Sequence, residues 1–308
     1  MTIDGGRRAT SAVVSRTWSP PFPLDLGVVL RPLGRGPGDP AFRVDGGVWL
    51  TANTPVGPGT LHVRRADAVE ARAWGEGAGW LLDGLPALLG AGDDDSAFEC
   101  HHPVVEQARR RWPGMRLTAT GRVWDALLPA VLEQKVTVVE AHRSYRELCR
   151  RFGTPAPGPV ADLVVPPTPR AVLGIADWEW HRAGVDGARR RALIAAAQVA
   201  HRLEGAFGLG GEAGRALLRK VPGIGAWTAA EVAQRAWGDP DAVSFGDFHL
   251  AGIVGWALVG RGVDDDGMAE VLAPYAPQRQ RAVRYVTASG SRKPRFAPRF
   301  QPRDYRVM

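Results

Sequence analysis

Through the first 75 positions, apolar residues come in short β-branched or aromatic runs broken by Gly, Pro and Asn. Such runs stand at 28–30, 41–44, 48–51, 60–63 and 68–71, and each reads as a strand. Asp45, Gly46 and Gly47 separate two of them, and glycine accepts the positive φ that a tight hairpin turn needs. A small antiparallel sheet is the expectation.

Past Gly75 the spacing becomes helical. Trp80, Leu81, Leu85, Leu88 and Leu89 suit a short helix, the acidic stretch 92–95 reads as a solvated loop, and His102-Pro103 opens another helix with proline in the first turn, where it is tolerated. Residues 122–136 carry Val123, Leu127, Ala130, Val131 and Gln134 at helical spacing, and a second helical run reaches Phe152. A Pro-rich connector at 153–159 leads to helices over 169–176, 177–183 and 187–203, the last striped by Leu193, Ala197, Ala200 and Leu203. No internal repeat is visible. The pattern predicts an α+β chain: a small antiparallel β-rich domain over 1–100, an all-helical domain over 101–290, and a basic Arg/Pro-rich tail over 291–308.

Composition narrows the classes. At 308 residues, 45% hydrophobic and 23% charged, the chain is neither disordered nor a disulfide-stapled miniprotein. No apolar run is long enough for a membrane-spanning helix, and the first residues lack the apolar stretch of a secretory leader, so a cytoplasmic, nucleoid-associated protein is expected. Cys100 and Cys149 are too few for a structural zinc or an iron–sulfur cluster and read as free thiols. His101, His102 and His249 lack metal-ligand spacing and read as structural. The signatures of Ser/Cys–His hydrolases, zinc enzymes and P-loop NTPases are missing.

Charge changes the picture more. The net charge is +7, of which the segment from Tyr285 onward supplies +5 through Arg292, Lys293, Arg295, Arg299, Arg303 and Arg306 against Asp304. A polyanionic partner follows, and the tail either tracks phosphate or is a solvated end.

The sharpest stretch runs from Leu217 to Ala230. One helix ends near Arg219, Pro222-Gly223-Ile224-Gly225 makes a tight hairpin, and a second helix starts at Ala226. Glycines there leave amides uncovered at a helix N-terminus, a site that binds a phosphate without reading sequence. Ile224 would plug the gap between the helices. Asp247 follows twenty residues after Trp227, at the start of an apolar helix with Leu250, Ile253, Val254 and Ala257. It is either a plain N-cap or a carboxylate facing a site. Upstream stand Leu132, Gln134, Val136 and Thr137 in an L-x-Q-x-V-T segment.

With these three features in this order, the chain resembles the helix–hairpin–helix (HhH-GPD) DNA glycosylase superfamily, and within it the alkylpurine branch, the 3-methyladenine DNA glycosylase II enzymes. The likeness runs over roughly 102–289, and the β-rich start resembles that branch's TATA-binding-protein-like sheet. The resemblance implies that Asp247 is the catalytic carboxylate. Bifunctional members carry a Schiff-base lysine near the start of the second hairpin helix, where this chain has Trp227. Of its lysines, Lys220 precedes the hairpin and Lys293 lies in the tail. The implied activity is therefore a monofunctional hydrolase acting on alkylated purines (3-methyladenine, 7-methylguanine) in base excision repair, without lyase activity. Trp227 suits a cationic base, since an indole face attracts cations by roughly 0.5–2 kcal/mol; its alternative is a core tryptophan.

The departures from the family's pattern are specific. Glu231 stands where an aromatic is frequent, one turn past Trp227, and either pairs with an arginine or meets the flipped base. At the wedge position, either Gln134 or Lys135 fills the hole left by the base, or Lys135 contacts phosphate. Thr287 falls where a third aromatic is expected. Thr228 and the hairpin Pro222–Gly225, through the amides of Gly223, Ile224 and Gly225, would hold phosphate, and the carbonyls of Arg219, Val221 and Ile224 a monovalent cation, Na or K; no other cofactor is implied. The partner is double-stranded DNA with a damaged base, the protein is a monomer, and no fused alkyltransferase domain precedes the sheet. Two rivals remain: a glycosylase for another lesion (hypoxanthine, uracil, a modified phage base), kept open by Glu231 and Lys135, and a non-catalytic hairpin DNA-binding protein, which would have no use for Asp247.

Overall fold

Five antiparallel strands pair in the order β1-β5-β4-β3-β2: β1 (Val14–Trp18), β2 (Phe42–Val44), β3 (Val48–Thr54), β4 (Gly57–Arg65) and β5 (Val69–Trp74). The computed structural model describes residues 13–292, so the basic tail lies outside the described residues except for its first two positions. Register places Val48 opposite Val63, and Leu50 opposite Leu61, so one face presents a continuous apolar layer. Three short helices bury that face: α1 (Leu26–Leu30), α2 (Ala78–Asp83) and α3 (Leu85–Leu88). Across the other face Trp49 stacks between His62 and Trp74, at 4.1 and 5.5 Å between ring centroids.

Three readings of this half are corrected. Residues 28–30 are helical, because Asp25 caps α1 by accepting the Val28 amide (3.0 Å) and Val29 and Leu30 turn into the core. Strand β1, made of residues with little alternation, was not foreseen. The acidic stretch 92–95 is a loop with Gly92 and Asp94 exposed, as expected, but it is not solvated throughout: the Asp93 side chain is inaccessible, accepts the Leu117 amide at 2.9 Å and pairs with buried Arg281.

The rest of the chain is helical. In order come α4 (Pro103–Arg111), α5 (Val123–Leu132), α6 (Val138–Phe152), the two-residue strands β6 (Thr154–Pro155) and β7 (Val164–Val165), α7 (Pro169–Leu173), α8 (Asp177–Arg182), α9 (Gly187–Gln198), α10 (Ala200–Leu203), α11 (Gly205–Leu209), α12 (Gly211–Leu218), α13 (Ala226–Ala236), α14 (Leu250–Val259), α15 (Asp265–Leu272) and α16 (Arg279–Ala288). The connector expected at 153–159 thus carries β6, and Ala156, Leu163 and Val165 cover Trp49 on the outer face of the sheet.

Two cores divide these helices. One is centred on α5, which is buried on nearly every side and packs against α6, α9 and α13 through residues such as Leu127, Leu148, Leu193 and Val232. The other joins α4, α14, α15 and α16 through Val105, Val254, Met268 and Val286. The chain crosses from the first core to the second between α13 and α14. The hairpin lies on one side of that crossing and Asp247 on the other. No helix among the described residues is long and apolar enough to cross a membrane.

Candidate active site

The hairpin between α12 and α13 is built as its residues require. Gly223 has φ +87°, and a Cβ there would stand 2.7 Å from the Ala192 Cβ on α9, so this position needs glycine both for backbone freedom and for close approach. Val221 O accepts the Ile224 amide at 3.0 Å, closing the turn, and Ile224 is buried in the first core. Gly225 precedes α13 in an extended conformation. Pro222, Gly223, Gly225 and Ala226 are exposed, and the first-turn amides of α13 have no carbonyl of their own helix to reach. Thr228, by contrast, is 2% exposed. Its hydroxyl faces inward, which leaves the exposed backbone as the part of the hairpin able to meet an anion.

Gln134 connects this hairpin to the turn between α5 and α6. The helix ends at Leu132, so Gln134 lies beyond it, and Nε2 donates to Gly223 O (2.9 Å) and to Thr228 Oγ1 (2.8 Å). The next residue, Lys135, is exposed and has φ +54°, the one positive φ outside glycine among the described residues. A left-handed lysine carries backbone strain, and strain of this kind collects at functional positions. With Gln134 engaged, Lys135 is the side chain of the pair that projects freely.

Trp227 is half-buried on the first turn of α13, and Glu231 follows one turn later on the same face. Both Glu231 carboxylate oxygens are engaged. Oε2 pairs with Arg235 Nη1 at 2.7 Å, and Oε1 accepts from the Ser244 hydroxyl at 2.5 Å. Ser244 is buried and also accepts from Gln234 Nε2. The loop after α13 is therefore anchored to the helix three residues before Asp247, and the Gly246 amide donates to Asp265 Oδ2 (2.8 Å) from the other side.

Asp247 sits at the end of that loop. Its Oδ1 accepts the amides of His249 (2.8 Å) and Leu250 (2.9 Å), capping α14, while Oδ2 has no hydrogen-bond partner among the described residues. One oxygen fixes the carboxylate, and the other is left to face whatever approaches. The cap and the outward carboxylate are thus the two oxygens of one group.

Several residues of this region escaped the sequence reading. The loop 32–39 of the β-sheet domain reaches into the helical cores: Pro32 O accepts from Arg235 Nε at 3.0 Å, and Asp39 accepts the amides of Arg35 (2.6 Å) and Ala41 (2.8 Å). Arg35 is buried, with Nε 3.7 Å from Glu133 Oε1, and His142 Nε2 lies at the same distance from that oxygen. Burial pushes the Glu133 carboxyl up, but Arg35, the His142 hydrogen bond and Arg235 outweigh it and hold the group at about 2. Burial and the nearby Arg235 lower Arg35 against the pull of Glu133 and Glu231. The available signals were the Gly- and Pro-flanked Arg35 and a glutamate next to Gln134; neither spells a motif. Arg284, also half-hidden, is lowered to about 10 by burial and by the charges of Arg235 and Arg31.

Thr287 is exposed on α16, and no aromatic replaces it there. Among the described residues no group of three or more His, Cys, Asp or Glu is placed to hold a metal ion. His102 Nδ1 instead lies 2.8 Å from the Tyr275 hydroxyl.

No family model matches the chain, and no curated protein matches it. Solved structures do. A 3-methyladenine DNA glycosylase from Archaeoglobus fulgidus is 16% identical with a TM-score of 0.71, over 89% of this chain and 98% of that one. MBOgg1 in complex with a low-affinity DNA ligand is 15% identical with a TM-score of 0.70, over 94% and 98%. An 8-oxoguanine glycosylase/lyase from Clostridium acetobutylicum, in its apo form, is 12% identical with a TM-score of 0.66, over 87% and 93%. At these identities the likeness shows the fold alone, which the chain shares with these three structures over nearly its whole length.

Proposed function

We propose that this protein is a monofunctional DNA glycosylase that hydrolyses the N-glycosidic bond of alkylated purines in double-stranded DNA. The observation that carries the reading is Asp247, held by two backbone amides through one oxygen with the other oxygen free, at the end of the loop that Ser244 ties to the second helix of the hairpin, whose exposed first amides suit a phosphate. A pure DNA-binding protein gains nothing from a carboxylate aimed at a polyanion.

The chemistry follows from charge. The base leaves the stack, at a cost of a few kcal/mol that is lowest for a damaged pair. As the glycosidic bond breaks, positive charge grows on the deoxyribose, and Asp247 Oδ2 stabilises it. The same oxygen orients the water that attacks the sugar, and the products are the free base and an abasic site. Lys135 enters the helix where the base has left. Trp227 occupies the place where a lysine would form a Schiff base, so the strand stays intact, and its indole face favours a cationic base.

Base release from methylated duplex DNA, wild type beside Asp247→Asn, tests this. The wild type is expected to release methylated purine and leave heat-labile, unbroken abasic strands. Asn keeps the cap oxygen, so the variant should fold and bind DNA but release nothing. Strand cleavage without heat would refute the monofunctional mechanism, and equal release by both proteins would remove Asp247 from the chemistry.

A further inference from the structure

Arg35 is a charged side chain that the β-sheet domain sends against the turn after α5. Only 5% of it is exposed. Glu133, beside it, directly precedes Gln134 and Lys135, and Glu231 lies one turn past Trp227 on α13. The guanidinium therefore stands against the residue that begins the loop that would displace a base, and close enough to α13 for Arg235 and Glu231 to act on its charge. Glycines shape its approach: Gly36 and Gly38 have φ of +76° and +74°, and a Cβ on Gly36 would meet His142 Nδ1 at 2.7 Å.

Its hydrogen bonds are incomplete. Arg35 Nη1 reaches Pro32 O at a long 3.4 Å, and Nε has no acceptor although it is fully buried. Glu133 at 3.7 Å supplies charge and not a hydrogen bond. The neighbouring carboxylate, Glu231, has both oxygens committed to Arg235 and Ser244. A buried donor without a partner is costly, and a ligand that brings an acceptor removes that cost.

We infer that Arg35 reads the extruded base by donating to a keto oxygen, so that the site prefers 6-oxopurine lesions such as 7-methylguanine and hypoxanthine over 6-aminopurines such as 3-methyladenine. The inference rests on the glycosylase reading. A guanidinium has N–H donors and no acceptor, and it matches O6, the acceptor that a 6-oxopurine presents and that remains when N7 carries a methyl group. A 6-amino group places donors against donors, and sites built around a hydrogen bond reject the analogue that cannot make it. Glu133 balances the charge of Arg35, so a cationic 7-methylguanine meets no net positive wall.

The test is the ratio of release rates for 7-methylguanine, hypoxanthine and 3-methyladenine from duplex DNA, for the full chain and for Arg35→Gln and Arg35→Lys. The wild type is expected to favour the two keto bases. Arg35→Gln should slow their release by about tenfold or more while changing 3-methyladenine much less. Arg35→Lys keeps the charge beside Glu133, loses the planar donor fork and should show the same shift in ratio even if the glutamine variant folds poorly. A wild type that favours 3-methyladenine, or variants that slow all three bases equally, would overturn the assignment and leave Arg35 a packing residue. DNA binding with no base released from any of the three by the wild type would sink the glycosylase reading itself, and this inference with it.

Discussion

Gln134 Nε2 lies 2.8 Å from Thr228 Oγ1, so one side chain ties the turn after α5 to the first turn of α13. Its second bond, to Gly223 O, reaches the hairpin itself. The strained Lys135 backbone is the next residue, and the tie holds it at a fixed distance from the exposed hairpin amides. Replacing Gln134 by Ala removes both bonds and leaves the buried Thr228 hydroxyl short of a donor. The expected loss is about 1–3 kcal/mol of stability, with a larger fall in base release than in DNA affinity. Urea unfolding and single-turnover release measured together check this; a stability loss with unchanged release would free the wedge loop from dependence on Gln134.

The two hairpin glycines should respond differently. Gly223→Ala forces a side chain into φ +87° and against Ala192, for an expected loss of about 2–4 kcal/mol. Gly225 has φ −90° and nothing within 4 Å of a Cβ. Gly225→Ala loses only a favoured N-cap residue and should therefore cost no more than about 1 kcal/mol of stability, yet bind DNA more weakly, because its methyl group stands where a phosphate would approach. Thermal melts and fluorescence anisotropy separate the two effects.

Legibility in the sequence followed the range of the interactions. The hairpin was readable because a turn is a local event: Gly223, Ile224 and the start of α13 at Ala226 stand where the residues put them. The order of a sheet followed by helices was readable for the same reason, since hydrophobic period is local. Residues 28–30 were misread because three apolar residues fit strand or helix equally, and the Asp25 cap decided between them. Asp93 was misread because its partner, Arg281, is 188 positions away. Arg35 and Glu133 were missed on the same ground: a loop of the sheet domain meets a turn of the helical domain, and no spacing in the chain announces the encounter.

That long-range pair makes a direct stability prediction. Asp93 and Arg281 are both nearly inaccessible, and Asp93 also holds the Leu117 amide. Asp93→Ala leaves the guanidinium charged and buried, which costs about 3–5 kcal/mol. Chemical denaturation reads the change directly. A loss below about 1 kcal/mol would mean that Arg281 finds another partner or reaches solvent.

Acid should act through Glu133. Its carboxyl sits at about 2 in the folded protein against an ordinary 4.5, so the folded state binds the proton less readily than the unfolded chain. The stabilisation is fully present above about pH 4.5 and is lost as pH falls toward 2. Over that window it amounts to something on the order of 3 kcal/mol. Glu133→Gln should be markedly less stable than wild type at pH 7, and the gap should narrow between pH 4.5 and 2.5. Urea midpoints across that range test it, and a gap independent of pH would mean that Glu133 contributes packing and no charge.

Ser244 offers the cleanest separation of positioning from binding. Its hydroxyl joins Glu231 on α13 to the loop that ends at Asp247, and the Asp247 amide in turn donates to Ser244 O at 3.2 Å. The residue is buried, so it meets neither base nor phosphate and acts through the carboxylate it places. Ser244→Ala removes the side-chain tie and keeps the backbone bond. On the proposed mechanism Asp247 then samples positions away from the sugar, and small displacements of a catalytic group are costly to rate. Base release at saturating DNA should fall by about tenfold or more, with DNA affinity unchanged. Because Glu231→Gln weakens the same tie, the double variant should lose less than the two single losses combined. Strictly additive losses would show that Ser244 and Glu231 act on the loop independently, and would remove this hydrogen bond from the set that positions Asp247.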